Sequence, residues 1–156
     1  MNRADCVERA KNINWGQYAK EIQNLHSIAS ERLVELSDDI GCALSTTIKM
    51  NQIRRFLDSL RRIEHNYNDM KYQEDPQREE LKKGIKHNLT MLRPKLAYAV
   101  GRTDPKKDEG KAFRNLMIVL EPAIQAAARD PENVFEKLLR FMESIIAYHR
   151  FYGGGN

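Results

Sequence analysis

Hydrophobic residues recur at intervals of three and four along nearly the whole chain, the spacing of helices that bury one face. Tyr18, Ile22, Leu25, Ala29, Leu33, Leu36 and Ile40 share a stripe, which predicts one long first helix. A second stripe of Ile53, Phe56, Leu57, Leu60, Ile63 and Tyr67 predicts a helix capped by Asn51 and ended before Asp75-Pro76. Leu81, Ile85, Leu89, Leu92, Leu96 and Ala99 predict a third. Pro94 lies inside it and lacks an amide donor, so a kink or a restart is expected there. Beyond a loop at Gly101-Arg102 and Asp104-Pro105, the residues Phe113, Leu116, Met117, Leu120 and Ile124 predict a fourth helix, interrupted by Pro122. Asp130-Pro131 has the form of an N-cap and first helical residue for a fifth, through Leu138, Phe141, Ile145 and Tyr148. Three glycines then stop it. No segment alternates long enough to propose a strand. The expected fold is all-α, a single-domain bundle of about five helices over residues 17–152, between a polar, loosely held segment 1–16 and a flexible glycine tail 153–156.

Composition agrees with that architecture. A chain of 156 residues with 41% hydrophobic and 31% charged residues fits one globular domain, and only eight glycines and five prolines argue against a loop-rich or all-β fold. Cys6 and Cys42 have neither a CxxC spacing nor a nearby histidine, so they are expected as reduced thiols, with Cys42 partly buried. The first fifteen residues contain no apolar signal core, and no run approaches a membrane span. A cytoplasmic protein without a membrane partner is expected.

Charge is unevenly placed. From Lys49 to Arg102 there are thirteen Lys and Arg against seven Asp and Glu, and the remainder of the chain is slightly acidic. Arg54 and Arg61 are seven residues apart, as are Arg55 and Arg62, so four guanidinium groups form two adjacent columns beside the apolar stripe of the second helix. Columns of this kind can follow a nucleic-acid backbone, because each guanidinium can grip phosphate oxygens through a bidentate fork. The competing reading is a solvated face on which Asp58 and Glu64 pair with these arginines.

Catalytic patterns are missing. His26, His65, His87 and His149 show no HxxxH or HExxH spacing, and the sequence contains no P-loop, no dinucleotide fingerprint and no GxSxG. Asp38-Asp39 and Glu79-Glu80 are adjacent in sequence and point about 100° apart on a helix, a poor geometry for acid and base acting on one bond. No enzyme activity, cofactor or metal is expected.

Three runs carry a resemblance. The C-terminal FMESIIAYHRFYGGGN, from Phe141 to Asn156, resembles the ending YMEALVAYFKFYGG of the small-subunit family of type III-A CRISPR effector complexes, the Csm complexes. KMNQIRRFLDSLRRIE, from Lys49 to Glu64, is similar to the family's helix-opening Thr-Thr/Ser-Gln-Ile/Leu-Arg, with Gln52, Ile53 and Arg54 matching and Met50 and Asn51 in the hydroxyl positions. LRPKLAYAVGR, from Leu92 to Arg102, is similar to Leu-x-Pro-Lys-Leu-Ala-Tyr-Ala-x-Gly-Arg. The resemblance covers about residue 45 to the end. It implies a non-catalytic, all-helical subunit, stacked in several copies as an inner filament along the duplex of guide RNA and target RNA, with other Csm subunits as partners.

The residues expected to contact RNA are Lys49, Arg54, Arg55, Arg61, Arg62, Arg93, Lys95 and Arg102. A helix C-terminal position gives Arg102 a second role, as a cation on the macrodipole. Phe151 and Tyr152, at the end of the last helix where a monomer has least protein to cover them, are expected to anchor a neighbouring subunit. They also offer an isolated subunit a route to a homodimer. His149 is expected to stack on a base or to be buried by a neighbour. The alternative is a helical protein-protein adaptor with no direct nucleic-acid role.

Overall fold

The computed structural model describes residues 3–155 and is helical throughout; Met1, Asn2 and Asn156, at the ends of the expected N-terminal segment and tail, lie outside the described residues. Among the described residues seven α-helices follow in order: α1 (Arg3–Lys11), α2 (Trp15–Ile22), α3 (Ser30–Ser45), α4 (Met50–Lys71), α5 (Gln77–Gly101), α6 (Asp108–Arg129) and α7 (Pro131–Phe151), with a 3₁₀ turn at Leu25–Ser27. The expectation of about five is therefore low by two.

Both additional helices lie near the N-terminus. The expected first helix is divided: α2 ends at Ile22, and the chain passes through the 3₁₀ turn and an extended Ala29 (ψ 144°) before α3 begins. Periodicity survives the interruption because Ile22, Leu25, Leu33, Leu36 and Ile40 all still reach one core. The segment from Arg3 to Lys11 forms α1, which packs on α3.

Cys6 and Cys42 are joined by a disulfide between these two helices, with Cα atoms 5.2 Å apart and both side chains fully buried. This corrects the expectation of reduced thiols. The redox rule concerns the compartment, whereas the pairing follows from the packing of α1 on α3, which no spacing reveals.

Two further expectations change. The N-cap of α4 is Lys49, two positions before Asn51, because the Gln52 side-chain oxygen accepts from the Lys49 backbone N–H at 2.9 Å. Pro94 does not restart α5, and Pro122 does not interrupt α6. The carbonyls each proline leaves without a helical donor belong to Thr90 and Ile118, both on exposed faces where water can replace the lost bond. At α7 the expected pattern holds, with Asp130 as N-cap and Pro131 in the first turn.

Helix α7 lies at the centre, packed against α3, α4, α5 and α6. Its buried stripe of Val134, Phe135, Leu138, Phe141, Met142 and Ile145 supplies much of the core. The approach to α3 is close enough to require glycine at position 41, where an added Cβ would lie 2.6 Å from Tyr148 Cβ and 2.7 Å from the Ile145 carbonyl oxygen.

Candidate nucleic-acid interface

Helices α4 and α5 are joined by a short turn and run antiparallel, leaving a groove between their exposed edges. At the Lys49 end this groove has a volume of about 520 Å³ and is lined by Lys49, Arg55, Lys95 and Arg102, with Phe56, Leu92 and Phe113 as its apolar floor. It continues along the hairpin past Ser59 into a smaller depression of about 250 Å³ containing Arg62, Asn88 and Met91, with Lys95 shared by both. Five of the eight residues expected from sequence thus meet in one place.

Among the described residues, none of these five forms an ion pair. Arg62 bonds only the neighbouring Ser59 hydroxyl, at 3.1 Å, and Arg102 lies 5.7 Å from the Tyr98 ring centroid. Glu109 is the one carboxylate lining the larger depression, and its Oε1 accepts from Gln52 Nε2 at 2.9 Å. The pairing of Asp58 with Arg54 and Arg62 that the competing reading requires does not form among the described residues. Asp58 is exposed, so water solvates its carboxylate instead.

The other three residues stand apart from the groove. Consecutive side chains on a helix diverge by about 100°, so while Arg55 and Arg62 open into the groove, Arg61 is turned toward α7 and pairs with Glu143 at 3.3 Å. Arg54, one turn pair earlier in that column, is exposed and lines neither depression. Arg93 reaches across to α6, where Glu121 accepts from Nη2 at 2.8 Å.

The groove's Lys49 end is fixed by the C-terminus of the chain. His149 Nε2 is 2.7 Å from the Ile48 carbonyl, which can only accept, so the proton resides on Nε2. Nδ1 is then a buried lone pair without a partner. Burial pushes the imidazole's pKa down, with the backbone carbonyls of Ile48 and Leu44 opposing in part. His149 is fully buried within this one subunit, which corrects the expectation of a stacking or neighbour-buried ring. The glycine run completes the closure. Gly153 adopts the left-handed conformation (φ 89°), Gly154 lies against the imidazole so closely that any Cβ would overlap it, and the Gly155 carbonyl accepts from the Met50 N–H at 2.8 Å. That last bond satisfies one of the orphan amides of the first turn of α4.

Phe151 and Tyr152 have different fates. Phe151 is 74% exposed. Tyr152 folds back, donating its hydroxyl hydrogen to Asp38 and accepting from Arg9 Nη1 at 3.0 Å. Arg9 also pairs with Asp39 at 2.6 Å and Asp38 at 3.2 Å, and Tyr18 donates to Asp39 at 2.6 Å. Partial burial opposes the charge on Arg9, but its bonds to Asp39, Tyr152 and Asp38 outweigh this and raise its pKa. Burial, reinforced by Asp39, pushes Tyr18 up to about 12.

One groove residue was passed over in the sequence. Tyr98 lines the larger depression and is 70% exposed. Its signal is positional: three residues after Lys95 and four before Arg102, it shares their helix face.

The described residues form a small all-helical protein with an open groove lined by cations. Among the described residues no cluster of His, Cys, Asp and Glu could hold a metal, and no helix is long and apolar enough to cross a membrane. Residues 27–155 match the family described as Csm2 Type III-A, and the chain belongs to that family. It is a small subunit of a type III-A CRISPR complex, a structural component whose partners include other Csm subunits. No curated protein and no solved structure shows a significant match to the chain.

Proposed function

We propose that this subunit binds RNA through the α4/α5 groove, without catalysis, and lines the duplex of guide RNA and target RNA as part of an inner filament in a cytoplasmic complex. One observation carries the reading: five cations from two helices and their caps share a groove and have no carboxylate partner among the described residues. Exposed cations left unpaired by their own protein are available to phosphate, and recognition of backbone alone suffices where base pairing reads the sequence. Phe151 is the proposed contact with a neighbouring copy or Csm subunit, because it is a large apolar side chain left exposed at the end of α7. Tyr152 supports it from beneath, with ring centroids 5.0 Å apart.

The test is fluorescence anisotropy with a labelled RNA at several salt concentrations. Each neutralised phosphate contributes a slope of roughly −0.7 for a single strand, so Arg55→Ala with Arg62→Ala is expected to flatten the dependence by about 1.4. Arg54→Ala with Arg61→Ala should change it less, since that column lies outside the groove. Equal effects of the two pairs would remove the groove from the proposal, and affinity indifferent to salt would remove phosphate recognition altogether.

A further inference from the structure

The geometry points to Tyr98 as a stacking platform for one unpaired nucleobase, so that the groove prefers RNA containing an unpaired nucleotide over uninterrupted duplex. This inference rests on the RNA-binding reading and adds to it the conformation of the bound strand.

Single exposed aromatics are common on protein surfaces and ordinarily need no explanation. Tyr98 differs in its surroundings. Its ring stands in the larger depression of the groove at 70% exposure, with Lys95 and Arg102 on the same helix face and Lys49 and Arg55 across the groove. Among the described residues its hydroxyl makes no hydrogen bond and its ring meets no other aromatic ring, while the Arg102 guanidinium lies 5.7 Å from the centroid. The side chain is thus spared from any evident task within the monomer.

An aromatic ring flanked by cations suits one form of nucleic acid in particular. Cations attract phosphate in any strand, paired or not. A ring gains from stacking only where a base offers a free face, and within continuous duplex both faces are occupied by neighbouring base pairs. An unpaired base supplies that face, with its own phosphates a few ångströms away for the flanking lysine and arginines. The Arg102 guanidinium, already over the ring, polarises the same platform and is itself planar enough to stack. Glu109 on the opposite wall is engaged by Gln52, at the α4 side of the depression.

Tyr72 provides the control. It is 87% exposed but sits at the end of α4, outside both cationic depressions.

The experiment compares three labelled RNAs: a single-stranded oligoadenylate, a fully paired blunt-ended duplex without a loop, and the same duplex with one bulged adenosine. Wild-type protein should bind the first and third more tightly than the second. Tyr98→Ala should weaken those two by roughly five- to 150-fold, the range for one stacked base, while leaving the fully paired duplex and all salt slopes unchanged. Tyr98→Phe should behave as wild type, and Tyr98→Leu, which retains apolar bulk, should not. Tyr72→Ala should change nothing. Thermal melting by circular dichroism verifies that each variant is folded. If all three RNAs bind in an Arg55- and Arg62-dependent way while Tyr98→Ala is silent or weakens them equally, the platform is overturned and the groove survives. If no RNA binds at any salt concentration, both fall together.

Discussion

Arg9 and Arg55 are the same side chain in opposite situations. Arg9, at the α1/α3/α7 corner, is enclosed by two aspartates and a tyrosine, and the Tyr152 ring lies 5.4 Å from its guanidinium carbon. Arg55, in the α4/α5 groove, is exposed and has no carboxylate partner among the described residues. A guanidinium whose donors are satisfied inside the protein stabilises the fold and has little left for a ligand. One held on a rigid helix with its donors facing water contributes little to folding and is available to an anion. The contrast divides the molecule into a corner that holds it together and a groove that can bind. Changes at the corner should therefore alter stability and spare RNA affinity, and changes in the groove should do the reverse.

The largest expected effect is at the corner, from loss of the Cys6–Cys42 disulfide, which closes a loop of sequence separation 36. Chain-entropy arguments place its contribution at about 3–4 kcal/mol. Urea unfolding of Cys6→Ala with Cys42→Ala, or of reduced wild type, should show that loss, with RNA affinity at low denaturant retained. Unchanged stability would mean that the packing of α1 on α3 is self-sufficient.

Next in size is Gly41→Ala. The new methyl would meet backbone atoms of α7 at 2.7 and 2.8 Å, which cannot rotate away as a flexible side chain would. Overpacking of this kind destabilises by about 1–3 kcal/mol, measurable as an earlier thermal transition. A neutral result would show that α3 and α7 can separate without cost, and the corner would be less rigid than its packing suggests.

Much of the fold was legible because burial imposes a period on the sequence: the stripes of α4, α5, α6 and α7 are the predicted ones. What was not legible depends on tertiary contact. The gap between α2 and α3 hides within a continuous stripe, since a 3₁₀ turn can still deliver Leu25 to the same core. The disulfide pairs helices whose proximity no spacing encodes. In the groove, sequence identified the cations of both helices but not their partition. Arg54 and Arg55 are equivalent in composition, and only the positions of α5 and α7 decide which faces the groove. Glu121 and Glu143, the partners that withdraw Arg93 and Arg61, come from helices far along the chain. His149 was misplaced for a related reason, because nothing local announces that the glycine run folds back over it.

A smaller effect separates two neighbours on α5. Lys95 lines both depressions, whereas Arg93 is paired with Glu121. Lys95→Ala should flatten the salt dependence of RNA binding by about 0.7 and leave the melting temperature near wild type. Arg93→Ala should leave RNA binding nearly intact and cost stability of about 1 kcal/mol or less, since the pair is partly solvated. Reversed outcomes would place the binding surface on the α5/α6 side.

The smallest expected effect is pH dependence at the junction of the two regions, where His149 holds Ile48 beside the groove residue Lys49. Burial lowers the folded-state pKa of this histidine below its unfolded value of about 6.5. The unfolded chain therefore takes up a proton first as pH falls, so its contribution to stability is complete above about 6.5 and declines between that value and the folded pKa. Protonation would also place a second N–H at Nδ1, which is buried without a hydrogen-bond partner among the described residues. Wild type should thus lose stability across this acid window, and His149→Gln, which can still donate to Ile48 but does not titrate, should lose less. Its unfolding curves at pH 7.5 and pH 5.5, set against those of wild type, measure the difference. Identical pH responses in the two proteins would show that the histidine is solvated when the tail moves, and that the closure over Lys49 is looser than its hydrogen bonds indicate.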